Sequence, residues 1–310
     1  MKNPDIVTLT VNPSLDKSTS FKGLVPEQKI RCENPEYDAG GGGINVSKAI
    51  ARLGGESLCI FTSGGDAGRQ LQSLLEKEKI MTQAIAVKNA TRENLMALDL
   101  NTNAQYRFGF PGASLSAAEQ DTILDTVNTL KPKFLVASGS LNEDVGSDFY
   151  QKMAVEAKKS GVKFIVDTSG EALQKALEAG VYLAKPNIGE LAKLVGIEKL
   201  HADEADDAAR TLIGKGFAQV IVVSLGPQGA VLVTREVTEF IPAPNVPKKS
   251  TVGAGDSMVG GMVWALSQGK PLGEVIRWGV ACGSAATMNE GTQLFHAEDA
   301  RRLFDWLGRR

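Results

Sequence analysis

Residues 163–195 read KFIVDTSGEALQKALEAGVYLAKPNIGELAKLV. Short apolar runs at 163–166 and 182–184 suit core strands, and the longer segments 170–179 and 189–195 suit helices. The alternation continues on both sides. Upstream lie a strand at 6–11, a helix at 44–53 closed by Gly54-Gly55, a strand at 57–62, a helix at 68–78, a strand at 134–137 and a helix at 148–160. Downstream lie a helix at 203–215, a strand at 219–224, a hairpin-like stretch at 229–242 and two apolar helices at 256–267 and 272–288. Parallel strands need crossovers, and helical crossovers cover both faces of the sheet. The expected fold class is therefore α/β, with a mostly parallel sheet.

Two segments break the alternation. Residues 17–37 have mixed polarity and no helical period, and 94–100 and 105–110 read as strands about Asn101-Thr102-Asn103. They predict a small separate sheet built from about 17–37 and 91–110. Its apolar residues, including Leu98, Leu100, Phe108 and Phe110, are too apolar to stay exposed, so the small sheet is expected to act as a lid and to join two copies as a homodimer. No long linker, repeat or low-complexity tract divides the chain, so residues 1–310 read as one domain.

Composition narrows the function. The chain has 310 residues, 43% of them hydrophobic, with a formal net charge of -2. No block of like charge offers a footprint for nucleic acid or an anionic membrane, and no run is long enough to span a bilayer. Cys32, Cys59 and Cys282 are far apart and have no metal-ligand spacing with His201 or His296. Residues 1–11 lack the features of a secretory signal, so a cytoplasmic location is expected.

Chemistry concentrates in a few loops. Ser250-Thr251-Val252-Gly253-Ala254-Gly255-Asp256-Ser257 runs from a loop into a helix. A helix N-terminus presents unpaired N–H groups to an anion, and glycine lets it approach closely. An aspartate there would repel that anion unless it takes a proton beside it, which points to phosphoryl transfer onto a hydroxyl. The same segment also fits a turn with Asp256 as an N-cap. Asp38-Ala39-Gly40-Gly41-Gly42-Gly43-Ile44-Asn45 places four glycines before a helix, matching neither the Rossmann nor the P-loop spacing. It reads as a backbone-lined binding loop, or as a flexible one. Asp16, after the first strand, suits sugar hydroxyls or an ordinary turn. Lys185-Pro186-Asn187-Ile188-Gly189-Glu190 offers a phosphate contact and oxygens suited to Mg²⁺, or a helix start with acid in its first turn. Ser224-Leu225-Gly226-Pro227-Gln228-Gly229 fits a nucleotide loop or a tight turn.

In this combination and order, over almost the whole chain, these motifs resemble the ribokinase-like carbohydrate kinases and, within them, the phosphofructokinase B group. The resemblance implies a three-layer α/β/α fold with a small β-sheet lid. The four-glycine run and the segments at 224–230 and 250–259 are similar to those of the 6-phosphofructokinase branch. The 1-phosphofructokinases and tagatose-6-phosphate kinases, the neighbouring alternatives, more often carry lysine third in that run. Asn142-Glu143 departs from the two prolines frequent after Ser140-Leu141. The implied activity is ATP-dependent phosphorylation of fructose 6-phosphate at its C1 hydroxyl. A non-catalytic sugar-phosphate sensor is the rival of another class, and intact Asp256 and Glu190 speak against it.

The roles carried over are as follows. Asp256 is the base, and Gly253, Ala254 and Gly255 are the anion hole. Asp16, Gly41, Asn45 and Ser140 hold the sugar, and Lys29 and Arg92 hold its phosphate. Lys185, Asn187, Ser224, Gly226 and Gly229 bind ATP, and Glu190 helps fix Mg²⁺. Ser250, Val252, Ala286, Asn289, Gly291 and Gln293 match a monovalent-cation loop, with K⁺ as the implied ion.

Overall fold

The computed structural model describes residues 4–309. In chain order the elements are β1 (Ile6–Thr10), β2 (Ser14–Phe21), β3 (Glu36–Gly40), α1 (Gly42–Arg52), β4 (Leu58–Ser63), α2 (Gly65–Lys77), β5 (Thr82–Ala86), β6 (Arg92–Asp99), β7 (Ala104–Phe108), α3 (Ala117–Leu130), β8 (Phe134–Ser138) and α4 (Phe149–Ser160). They continue with β9 (Lys163–Asp167), α5 (Gly170–Ala179), β10 (Val181–Ala184), α6 (Ile188–Leu194), α7 (Ala205–Gly214), β11 (Ala218–Ser224), β12 (Gly229–Val233), β13 (Thr238–Pro242), α8 (Ala254–Ser267), α9 (Leu272–Thr287) and α10 (Ala297–Leu307).

Nine strands form one sheet in the order β13-β12-β11-β10-β9-β8-β1-β4-β5. From β11 to β5 every pairing is parallel, and β12 and β13 add an antiparallel edge. Burial follows the strand period of two. Leu135 and Ala137 of β8 and Ile221 and Val223 of β11 join a core with α3, α4, α5, α6 and α7. Phe134 and Val136, and Val220 and Val222, point the other way into a core with α1, α8, α9 and α10. A third cluster packs α2 residues Leu71 and Leu75 on Phe61 and Cys59 of β4. Among the described residues no helix is long and apolar enough to cross a membrane.

The second sheet has the order β3-β2-β6-β7. β2 runs antiparallel to β3 and parallel to β6, and β6 and β7 form the expected hairpin. Residues 17–37 thus supply two strands at their ends, reaching back to Ser14 and on to Gly40, joined by a loop. Sequence reading overlooked β5, α3 and α10 and did not divide 17–37 into strands. β2 (SLDKSTSF) lacks the apolar run that marks a doubly buried strand, and its central residues are only half-buried.

Candidate active site

The carboxyl ends of β8, β9 and β10 meet the N-terminus of α8 through Ser138, Asp167 and Lys185. That is where open parallel sheets bind ligands. Gly253 caps α8 in the left-handed region at φ 69°, a conformation that favours glycine. Ala254 and Gly255 begin the helix, so the amides of 253–255 lie at its positive end.

Asp256 makes no cap bond to its own helix. Its carboxylate turns outward, accepting from Asn45 Nδ2 of α1 at 2.8 Å and from Ser138 Oγ at the end of β8 at 3.4 Å. Burial, and then the charge of Asp167, push its pKa up to about 6, while Asn45, Lys185 and Ser138 pull the other way. Such a carboxylate is ionised at neutral pH and basic enough to take a proton.

The four glycines are required by what they touch. A Cβ on Gly40 would run into Asp16 Oδ2, one on Gly42 into Ser138 Oγ, and one on Gly43 into the Leu9 carbonyl oxygen. Gly41 caps α1 at φ 132°. The run therefore lets α1 start directly above β1 and β8, and this aims Asn45 at Asp256.

Lys185 is buried at the end of β10, with its Nζ 3.1 Å from Asp167 Oδ1. Burial lowers its pKa, but the charges of Asp167, Asp256 and Glu190 outweigh that and leave it raised, so it stays cationic. A Cβ on Gly255 would sit 3.4 Å from this Nζ, so the ammonium lies over the start of α8. Asn187 and Glu190 form a capping box on α6: Glu190 N donates to Asn187 Oδ1 and Asn187 N to Glu190 Oε2, each at 2.9 Å. Ser224 N donates to the Pro186 carbonyl at 3.0 Å, tying this segment to the turn between Gly226 and Gly229.

The small sheet supplies a second cluster. Asp16 of β2 pairs with Asn94 of β6 and Asp38 of β3. Ser14 Oγ and Asn94 Nδ2 donate to Asp16 Oδ1 at 2.7 and 2.9 Å, while burial raises its pKa. Arg92, opposite Ser14, donates to the carbonyls of Phe110 and Asn12 at 3.3 Å. Its buried Nε has no partner, nor does Asn12 Oδ1, among the described residues. Asn12 Nδ2 donates to Ser140 Oγ at 3.3 Å. Lys29 stands apart, exposed on the loop between β2 and β3.

The remaining group assembles at the end of α9. The amides of Lys249 and Ser250 donate to the Thr287 carbonyl, and Ser250 Oγ donates to the Gly291 carbonyl at 2.9 Å. Val252 N donates to Ser250 Oγ, Asn289 N to the Ala286 carbonyl and Gln293 N to the Glu290 carbonyl. Residues 250–252 and 286–293 thus lie side by side, next to the Gly253 cap.

Ser138, Asp167 and Asn94 escaped sequence reading. Asp167 had a usable signal, an acid ending an apolar strand, KFIVD. Asn94 had none, since only strand register brings it to Asp16.

The model of the pfkB family carbohydrate kinases matches residues 9–299. The chain is 43% identical to the ATP-dependent 6-phosphofructokinase isozyme 2 of Escherichia coli (strain K12), over 98% of this chain and 99% of that protein. Phosphofructokinase-2 from Escherichia coli in complex with potassium superposes with a TM-score of 0.95 at 43% identity, covering 99% of this chain and 100% of that one. The complex of that protein with fructose-6-phosphate gives 0.93 at 41% identity, and its tetrameric inhibited form 0.92 at 42%, both with the same coverage. The order of the motifs, the meeting of Asp256 with the four-glycine helix and this full-length similarity have one reading: the chain belongs to the pfkB family of carbohydrate kinases.

Proposed function

We propose that this chain is an ATP-dependent 6-phosphofructokinase that converts fructose 6-phosphate to fructose 1,6-bisphosphate. The observation that carries the reading is Asp256, held by Asn45 and Ser138 at the N-terminus of α8 with its pKa raised to about 6. In the reaction the C1 hydroxyl of the sugar lies beside this carboxylate, which takes its proton as the C1 oxygen attacks the γ-phosphorus of ATP in line and the bond to the bridging oxygen breaks, releasing ADP. Charge gathering on the moving group meets the amides of 253–255 and the Lys185 ammonium. These donors are fixed before the reaction, so positioning and electrostatics supply the acceleration.

Asp16, Asn45, Ser140 and the backbone at Gly41 hold the sugar. Arg92 takes its 6-phosphate, a role that fits its unpartnered buried Nε. Lys29 would join that phosphate after a movement of its loop or from a second subunit. ATP lies along Lys185, Asn187, Ser224, Gly226 and Gly229. Two carboxylates near Lys185, Asp167 and Glu190, are the residues that would hold a Mg²⁺, and that ion would neutralise phosphate charge. The side-by-side carbonyls of 250–252 and 286–293, with no carboxylate among the six residues named there, suit K⁺.

The whole chain acts as one kinase unit with the four-stranded sheet as its lid. Leu100, Phe108 and Phe110 on that lid are 48%, 49% and 55% exposed in the single chain, which supports a homodimer joined there. Cys59 and Cys282 are free and buried, consistent with a cytoplasmic location.

A coupled assay of ADP release tests the reading across fructose 6-phosphate, tagatose 6-phosphate, fructose 1-phosphate and ribose. The highest kcat/KM is expected with fructose 6-phosphate. A clear preference for another sugar would reassign the substrate, and no turnover with any would remove the kinase reading.

A further inference from the structure

The loop at 289–294 touches three functional regions at once. Leu294 packs on the cap of α8, its Cδ2 2.6 Å from where a Cβ on Gly253 would stand. Gly291 accepts from Ser250 Oγ and faces Met96 of the lid, whose Cε is 3.3 Å from the Cβ position of Gly291. Thr292 Oγ1 donates to Asp38 Oδ2 of β3, across 254 residues of chain. No other hydrogen bond or ion pair reaches the Asp38 carboxylate among the described residues. Asp38 stands directly opposite Asp16 in the β2–β3 pairing, two residues before the glycine that packs against the Asp16 carboxylate.

We propose that the Thr292–Asp38 hydrogen bond is a positioning contact that couples monovalent-cation binding at 250–252 and 286–293 to sugar-phosphate binding under the lid. This rests on the cation and substrate readings given above. A cation held by residues 250–252 and 286–293 would steady Thr292, and Thr292 holds Asp38 and the end of β3 that leads into Gly40 and Gly41. The wall holding Asp16 is then set before the sugar arrives. Met96 against Gly291 is only an apolar contact and transmits little direction, whereas a hydroxyl donating to a carboxylate has a defined geometry. Linkage makes the effect mutual: the cation tightens the sugar phosphate by the factor by which the sugar phosphate tightens the cation. A factor of at least about 5 is expected, the low end of typical couplings.

The test is calorimetric titration of the full chain with fructose 6-phosphate, without nucleotide, in potassium chloride and in tetramethylammonium chloride at equal ionic strength. Tm in both salts is the second readout. The unaltered protein should bind the sugar phosphate at least about 5-fold more tightly in potassium. Thr292→Val should keep the potassium-induced rise in Tm yet bind with equal affinity in the two salts, and Thr292→Ser should restore the difference. The proposal is overturned if Thr292→Val retains the potassium effect on affinity. It is equally overturned if potassium raises Tm of the unaltered protein without changing its sugar affinity, in which case the cation reading survives. If potassium changes neither quantity, the cation reading falls with it, and if no sugar phosphate binds, the substrate reading falls.

Discussion

The two sheets of this molecule are buried by different rules. In the nine-stranded sheet, β1, β4, β8 and β12 are buried at every position, with helices on both faces. In the four-stranded sheet most positions of β2, β6 and β7 are only half-buried or exposed. The large sheet gains its stability from apolar cores on both faces and presents the candidate site only at its strand ends. The small sheet places Ser14, Asp16, Arg92 and Asn94 on one face as polar groups, and leaves Leu100 and Phe108 exposed. The candidate site residues of the small sheet therefore lie within its strands, and those of the large sheet at or just beyond the ends of its strands.

Substitutions should separate the two sheets accordingly. Phe61→Ala, in the fully buried β4, should cost about 3–5 kcal/mol of stability, measured by chemical denaturation. A loss below about 1 kcal/mol would mean that the body is not packed as described. Asp256→Asn should lower kcat by at least about 10²-fold with an intact fold by circular dichroism. Near-normal turnover would remove Asp256 as the base. Arg92→Ala, in the lid, should raise KM for the sugar phosphate through loss of a charged hydrogen bond, about 1.5–3 kcal/mol, while leaving KM for ATP nearly unchanged. Equal changes in both constants would deny the lid a dedicated sugar role.

The pH dependence should belong to the body. With the Asp256 pKa raised to about 6, kcat/KM should fall about tenfold per unit as pH drops below that value. The stability effect has the opposite sense to that of a salt-bridged acid. The folded state holds the Asp256 proton more tightly than the unfolded chain, so ionisation costs stability, and the cost grows as pH rises from 3.8 through about 6. Asp256→Asn should thus gain Tm relative to the unaltered protein at pH 8 but not at pH 4; an unchanged difference would place the raised pKa elsewhere. The smallest stability effect is expected on the lid's outer face. Leu100→Lys should alter the stability of the single chain by no more than about 0.5 kcal/mol, yet shift light-scattering mass towards the monomer. An unchanged mass would move the subunit contact off that face.

The same contrast explains what could be read from residue order. The alternation at 163–195 was recoverable because a strand buried on both faces is a continuous apolar run, and the helix 170–179 matches α5 to the residue. β2 and β3 escaped because a half-solvated strand in a sheet of mixed direction carries a weak pattern. α3, though marked by a Ser116–Glu119 capping box, was passed over, and so was that box. At the site, Asp256 and the glycines stood out because their chemistry is unusual where they occur. Asp167 and Ser138 look like ordinary strand ends until the sheet order sets them beside Lys185 and Asp256.

Residue order was enough to establish an α/β body and a separate small sheet, and to single out a glycine-rich helix start at 253–255 as the candidate site, because each depends on a few neighbouring residues and their propensities. Two matters were left to tertiary packing. Asp256 turns across to Asn45 and Ser138 instead of capping its helix, and Thr292 meets Asp38 from the far end of the chain. These partners are distant in sequence, and only the strand order and register, fixed by burying both faces of the large sheet, bring them together.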